Sequence, residues 1–214
     1  SMVVEAVNIE ENSNRTPVNY VLPPGVSRQT DPGQAQLIEQ NEQSMVFRFN
    51  HLAPKDARAV YKNVVYDMRQ YKRLQMFVHA ECLPQYEAIE DKDVSCFIRL
   101  GSDIKNNYYE YEIPLTLTPP GKYNTYLESD RYIVWPESNF LNLELQKLVN
   151  LKKERNAAKR MADSSVGYGT LYTGRDPENE QNRMAVIGNP SLSDIRVILI
   201  GVRNNSSTTK DGTV

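Results

Sequence analysis

The chain holds little of what reaction chemistry is usually built from. Its 214 residues include two histidines, two cysteines and one tryptophan. A nucleophile needs an adjacent, oriented base. His51 sits beside a turn in NHLAPKD, and His79 is expected on the outer face of a strand, where a lone histidine reads as structural because a triad needs two further oriented partners. No G-x-S-x-G, P-loop or GxGxxG string is present. Gly167, Gly169 and Gly174 lack the preceding strand and following helix that phosphate cradling requires. Cys82 and Cys96 are too few and too widely spaced for a zinc knuckle. The formal net charge of -2 leaves no broad electrostatic footprint for nucleic acid. No apolar run is long enough for a membrane-spanning helix. No signal peptide is expected, since Ser1 and Met2 lead straight into polar sequence, and Ser1 before Met2 reads as a residue left by expression of an excised domain.

What is present is tyrosine, charge and alternation. Thirteen tyrosines against five phenylalanines favour half-buried sheet surfaces, where the ring packs and the hydroxyl stays wet. Gln43 to Asn50 alternates with Met45, Phe47 and Phe49 on one side, which predicts a strand with one buried face. Ala57 to Tyr66 is expected to be a strand running into a loop, and Asp67 to Tyr71 a turn. Leu74 to Ala80 is expected as a strand with Leu74, Met76, Val78 and Ala80 inward. Ser95–Gly101 and Tyr108–Leu115 read as a hairpin closed by Asp103 to Asn107. Its inward set is Cys96, Ile98 and Leu100 opposite Tyr109, Tyr111, Ile113 and Leu115, and its outer face pairs Arg99 with Glu110 and Glu112. Ile133 to Pro136 is expected as a short strand, and Leu141, Leu143 and Leu145 as a strand passing into one helix, Leu145 to about Ala157. Asp163 to Arg183 reads as a long loop and Ile195 to Val202 as a central strand buried on both faces. The expectation is a mostly β protein, a jelly-roll sandwich with one short α-helix. Residues 1–34 form an extended Pro/Asn-rich lead-in with Val18 to Leu22 as an edge strand, 35–204 the sandwich, and 205–214 a polar tail or linker.

Four groups of residues carry candidate sites. Arg99, Tyr108, Glu110 and Trp135, with Tyr109 and Tyr111 nearby in sequence, could line a binding face for a sugar or peptide, or divide between core and ordinary surface. Glu87, Glu90, Asp91 and Asp93 could hold a structural calcium or form a solvated loop, and they lack the central glycine of a hand-type site. Cys82 and Cys96 could face each other as a disulfide or remain two buried thiols. Glu110, Glu112, Glu128 and Asp130 are the carboxylates from which a glycosidase pair would have to come, although spacing alone shows no facing pair. The basic run Lys147 to Arg160 reads as a solvated helix face, diluted by Glu154 and without interleaved aromatics. No catalytic set, cofactor site or required metal is expected.

Several strings resemble a known family. YVLPPGVSR (Tyr20 to Arg28), DARAVYKNV (Asp56 to Val64), DMRQYKRLQMFVHAE (Asp67 to Glu81), FIRLGSDIKNNYYEYEIPL (Phe97 to Leu115), VWPE (Val134 to Glu137) and GNPSLSDIRVILIGVRN (Gly188 to Asn204) occur in order along most of the chain. Together they are similar to the SprA/Sov family of Bacteroidetes cell-surface proteins. That resemblance implies a very large outer-membrane β-barrel, the translocon of type IX secretion and a component of gliding motility. This chain lacks the repeated lipid-facing alternation of barrel strands. The resemblance therefore implies a non-catalytic soluble domain that does not itself span the membrane and acts as cap, gate or contact. Its partners would be the rest of the parent barrel, secreted cargo proteins and other translocon components, in the cell envelope at the outer membrane. The turn-then-strand pattern of DMRQYKRLQMFVHAE also looks like galactose-binding-like jelly rolls, so the alternative is a carbohydrate-binding module.

Overall fold

A computed structural model describes residues 1–30, 39–83 and 88–214. Pro32 and Gly33 of the lead-in, and Pro84 and Glu87 of the following loop, lie outside the described residues. The chain is mostly β, in two principal antiparallel sheets that share one core. The first sheet orders β1 (Met2–Asn8), β2 (Gln43–Leu52), β12 (Lys210–Thr213) and β5 (Glu81–Cys82). The second orders β3 (Ala57–Tyr66), β11 (Ile195–Asn204), β6 (Val94–Gly101), β7 (Tyr108–Pro114), β10 (Asn179–Ile187) and β9 (Tyr172–Asp176). A separate ribbon pairs β4 (Arg73–Met76) with β8 (Leu141–Glu144).

The two orders mirror each other. The chain steps from β2 to β3, from β5 to β6 and from β11 to β12, passing each time from one sheet to the other. The neighbours β2-β12-β5 in the first sheet thus continue as β3-β11-β6 in the second. That is the wrapped arrangement of a jelly roll. Phe47, Phe49 and Leu52 of the first sheet pack with Cys96, Ile98, Leu100, Tyr109, Tyr111 and Ile113 of the second. The hairpin register puts Cys96 opposite Ile113, Ile98 opposite Tyr111 and Leu100 opposite Tyr109, as the alternation requires. The far end of this inner face is covered by α2 (Leu145–Lys159), which buries Leu145, Leu148, Leu151 and Arg155 along one stripe. Gly174 admits the helix, because a Cβ there would stand 2.8 Å from Leu151.

Several elements differ from the sequence expectation. Residues 2–8 of the lead-in are a strand paired to β2, and Val18 makes only an isolated bridge to Gly121. Asn19 and Tyr123 exchange hydrogen bonds of 2.8 and 2.7 Å, which strap the lead-in to the body. The strand expected over Leu74 to Ala80 runs from Arg73 only to Met76, yet Val78 and Ala80 are buried as the alternation predicts. Glu128–Val134 is a helix, α1, where Ile133 to Pro136 suggests a strand. The expected loop from Asp163 to Arg183 contains β9 and the start of β10, joined by a tight turn. Strand β11 is central and covered on both faces as expected, with Val197 and Leu199 buried on one side and Val202 on the other, although Ile198 and Ile200, which pack against the core, are only partly covered. The expected tail holds β12, a buried inner strand. Lys210 reaches Asp93 at 2.8 Å and Asp211 accepts from the His51 backbone N–H at 2.7 Å, while the buried Thr213 hydroxyl has no partner among the described residues. Both cysteines are free, one in each sheet.

Candidate functional site

The outward side of the six-stranded sheet carries charge where a solvated sheet face is usually merely polar. Alternation sends Ser95, Phe97 and Arg99 of β6 outward, with Tyr108, Glu110 and Glu112 of β7 beside them. Register sets Arg99 opposite Glu110 and Arg183 of β10 opposite Glu112. Arg203, at the end of β11, completes the group. Arg99 donates through Nε to Glu110 at 2.5 Å and through Nη1 to the Ile104 carbonyl at 2.9 Å. Arg183 donates to Glu110 at 2.5 Å and to Glu112 at 2.7 Å. Arg203 bridges the same two carboxylates, at 3.1 Å to Glu110 and by a direct bond to Glu112. The Ser95 hydroxyl donates to Glu112 at 2.5 Å.

The carboxylates lie beneath this layer of guanidinium groups. Glu110 and Glu112 are 2 and 5 % exposed, while the three arginine side chains keep 17 to 25 % of their surface open. Burial alone would raise the Glu112 carboxyl, but Arg203, Ser95 and Arg183 outweigh it and hold it below the ordinary range. Arg203 shows the reciprocal balance: burial disfavours its charge, the two glutamates restore it, and its pKa is raised. Phe97 forms the floor. The Arg203 guanidinium lies 4.4 Å and that of Arg99 5.6 Å from its ring centre. Gly201 makes room for that ring, since a Cβ there would stand 2.7 Å from Phe97 and 2.6 Å from Ala59. Arg99 also stacks on Tyr108 at 4.3 Å.

Above the layer opens a cleft of about 620 Å³, whose wall adds Arg175, Leu171, Gln181 and Asn205. Arg99, Tyr108 and Glu110 of the sequence-predicted face therefore meet here. Trp135 does not. It lies 7 % exposed in a second cluster with Val18, Tyr20 and Val21, and donates from Nε1 to the Val21 carbonyl at 2.9 Å. Tyr109 and Tyr111 point the other way, into the core. Arg183 and Arg203 escape the sequence reading. The only hint of Arg183 is the short alternation RMAVI, where Met184 and Val186 turn inward.

A second cavity, of about 240 Å³, lies beside Trp135 and Phe77. At its edge His79, expected on an outer face, is half-buried: Nδ1 lies 2.6 Å from the Val134 carbonyl and Nε2 3.0 Å from Glu81. Arg15 also pairs with Glu81, which is 1 % exposed. Burial would raise the Glu81 carboxyl, yet His79 and Arg15 together bring it below the ordinary range.

The other candidate groups are dispersed. Among the described residues no group of three or more His, Cys, Asp or Glu side chains could hold a metal ion. Asp91 accepts from the Leu117 backbone N–H at 2.8 Å, and Asp93 pairs with Lys210, while Glu87 lies outside the described residues. Asp130 caps the Asn124 backbone N–H at 2.7 Å on the α1 segment, away from Glu110 and Glu112. The latter two share Arg183 and Arg203, and Glu112 is held below the ordinary carboxylate range, where a glycosidase acid needs a raised pKa. What this surface can do is present fixed guanidinium groups to an anion. A family model, SprA_N, described as motility related/secretion protein, matches residues 1–214. No curated protein matches the chain.

Proposed function

The chain belongs to the SprA_N family of motility related/secretion proteins, and from that membership we propose that it is a non-catalytic domain of a very large outer-membrane β-barrel translocon. The translocon would serve type IX protein secretion and gliding motility. The domain acts as cap, gate or contact, and its partners are the remainder of the barrel, passing cargo and other translocon components. The family match over residues 1–214 is the observation that carries this reading. No helix among the described residues is long and apolar enough to cross a membrane. The ionic outer face of the six-stranded sheet supports a place outside the bilayer, because lipid-facing barrel strands carry apolar side chains. Arg99 covers the ring of Tyr108, which removes that ring as a platform for stacking sugars and counts against the carbohydrate-module alternative.

The test is an in-frame deletion of residues 20–204 from the full-length parent, read by cargo export and by the amount of parent protein in the outer membrane. Lost export with normal parent levels is the expected result. Unchanged export would overturn the proposal.

A further inference from the structure

We propose that the guanidinium-lined cleft on the six-stranded sheet binds acidic peptide segments, with Arg175, Arg183 and Arg203 holding their carboxylates. The cleft wall holds four arginines against two glutamates, a surplus of two positive charges on a chain whose formal net charge is -2. This local sign reversal is what would draw an anion to this face.

Donors remain for a ligand. Arg99 uses Nε and Nη1, Arg183 uses Nε and Nη2, and Arg203 uses Nη1. Among the described residues the remaining guanidinium nitrogens of these three donate to nothing, and none is sealed away from solvent. They face the cleft already fixed by Glu110 and Glu112, so a ligand meets ordered donors and loses less side-chain entropy on binding. Arg175 is the loosest of the four. It is exposed, and among the described residues its side chain makes one hydrogen bond, 3.4 Å to the Gln181 carbonyl. It stands beside Arg183 in the register of β9 and β10. Two planar forks side by side match the two oxygens of a carboxylate better than the spread charge of nucleic acid.

The class of ligand follows from the rest of the wall. Tyr108 offers no free ring to a sugar. Gln181 supplies an amide group suited to a peptide backbone, Asn205, whose NH2 group donates to Ser95 and Glu112, supplies its amide oxygen, and Leu171, 42 % exposed, supplies an apolar contact. The choice of a peptide over other carboxylates rests on the reading of this domain as a contact for exported protein.

The experiment is isothermal titration of the 214-residue chain, at low salt, with a capped peptide carrying two glutamates. The same peptide with glutamines and a trigalacturonate serve as comparisons. The glutamate peptide is expected to bind about tenfold or more tightly than the glutamine peptide, and salt is expected to weaken it. Arg175→Gln, at an exposed position that leaves the Glu110 and Glu112 layer intact, is expected to weaken binding roughly three- to tenfold, and Arg175→Glu to abolish it. Equal binding of the two peptides, or no binding of either, would overturn the proposal. So would binding of trigalacturonate with none of the peptide, which would make the cleft a saccharide site. Lost export on domain deletion, together with any of these failures, would leave the translocon reading standing and remove only this inference.

Discussion

Substituting Glu112 with glutamine tests whether the layer of arginines and glutamates is a structural unit. The change keeps shape and volume but removes a charge that is 5 % exposed and faces Arg183, Arg203 and Ser95. Breaking a fully buried ion pair by removing one partner costs about 3–5 kcal/mol. Here both arginines keep 17 to 25 % of their surface open, so water relieves part of the loss. Glu110 still faces both of them. The amide also turns one donor toward guanidinium groups that can only donate. We expect a destabilisation of about 3 kcal/mol, which for a chain of this size lowers Tm by roughly 6–12 °C.

Urea unfolding at neutral pH measures the change as a lower midpoint with an unchanged slope. A double-mutant cycle with Arg203→Gln should return a coupling of about 1 kcal/mol or more, because the two side chains bond directly. The pH dependence supplies an independent check. The folded Glu112 carboxyl lies below its ordinary value of 4.5, so the unfolded chain takes up the proton first as pH falls. Its stabilisation is therefore complete above about pH 4.5 and is lost as pH drops through the folded value. The Glu112→Gln variant should lose less stability than the parent over that acid range. A destabilisation below about 0.5 kcal/mol with no coupling to Arg203 would refute the reasoning, since it is the size expected of an ordinary surface substitution.

Other regions give further tests. Gly188→Ala should cost about 3 kcal/mol or more in the same unfolding assay, because φ is +71° and a Cβ would stand 1.9 Å from the Asn106 carbonyl; a neutral result would mean that the turn beside Asn106 is placed differently. Arg15→Met should leave Glu81 with only His79, cost about 2–3 kcal/mol, and speed amide exchange in residues 12–22, where Arg15 also donates to the Val18 carbonyl at 2.8 Å; unchanged exchange there would argue against the strap. Cys96 is buried, and burial together with Glu112 pushes its thiol up to about 12, so a thiol reagent at pH 8 should label partly exposed Cys82 alone until the chain unfolds. Equal labelling rates, or a native mass lacking two hydrogens, would contradict two free thiols.

The features legible in sequence are those whose signal is local. The hairpin of β6 and β7 shows itself because Cys96, Ile98 and Leu100 alternate against Ser95, Phe97 and Arg99, and a single turn fixes the register. Its Arg99–Glu110 pair follows from that register alone. Strand β12 does not show itself, because Lys-Asp-Gly-Thr reads as solvated tail. Its burial depends on Asp93, Ala88 and the His51 backbone, more than a hundred residues away. Strands β9 and β10 hide for a different reason. Their outward side belongs to the charged cleft, and their inward side gives up a side chain at Gly174 so that Leu151 can approach.

The same distinction divides the site. Arg99, Tyr108 and Glu110 sit within one hairpin, so a period of two brings them together before any tertiary contact is known. Trp135 joins them in a sequence reading only because exposed aromatics suggest binding. In the fold its ring packs edge-on against Tyr20 and Phe77, and its N–H is taken by Val21. Arg183 and Arg203 arrive from β10 and β11, the strands flanking the hairpin on either side, and strand order is not written in either segment. Yet the hairpin does contain the demand for them. Glu110 and Glu112 project from the same side of β7, and Arg99 alone cannot neutralise both once they are buried. Two outward carboxylates with one local cation are thus a sequence-level sign that neighbouring strands must supply positive charge. Here β10 and β11 each supply one arginine, and β9 places a fourth beside them, beyond what the two glutamates need. That surplus is the part of the site that folding does not explain and ligand binding would.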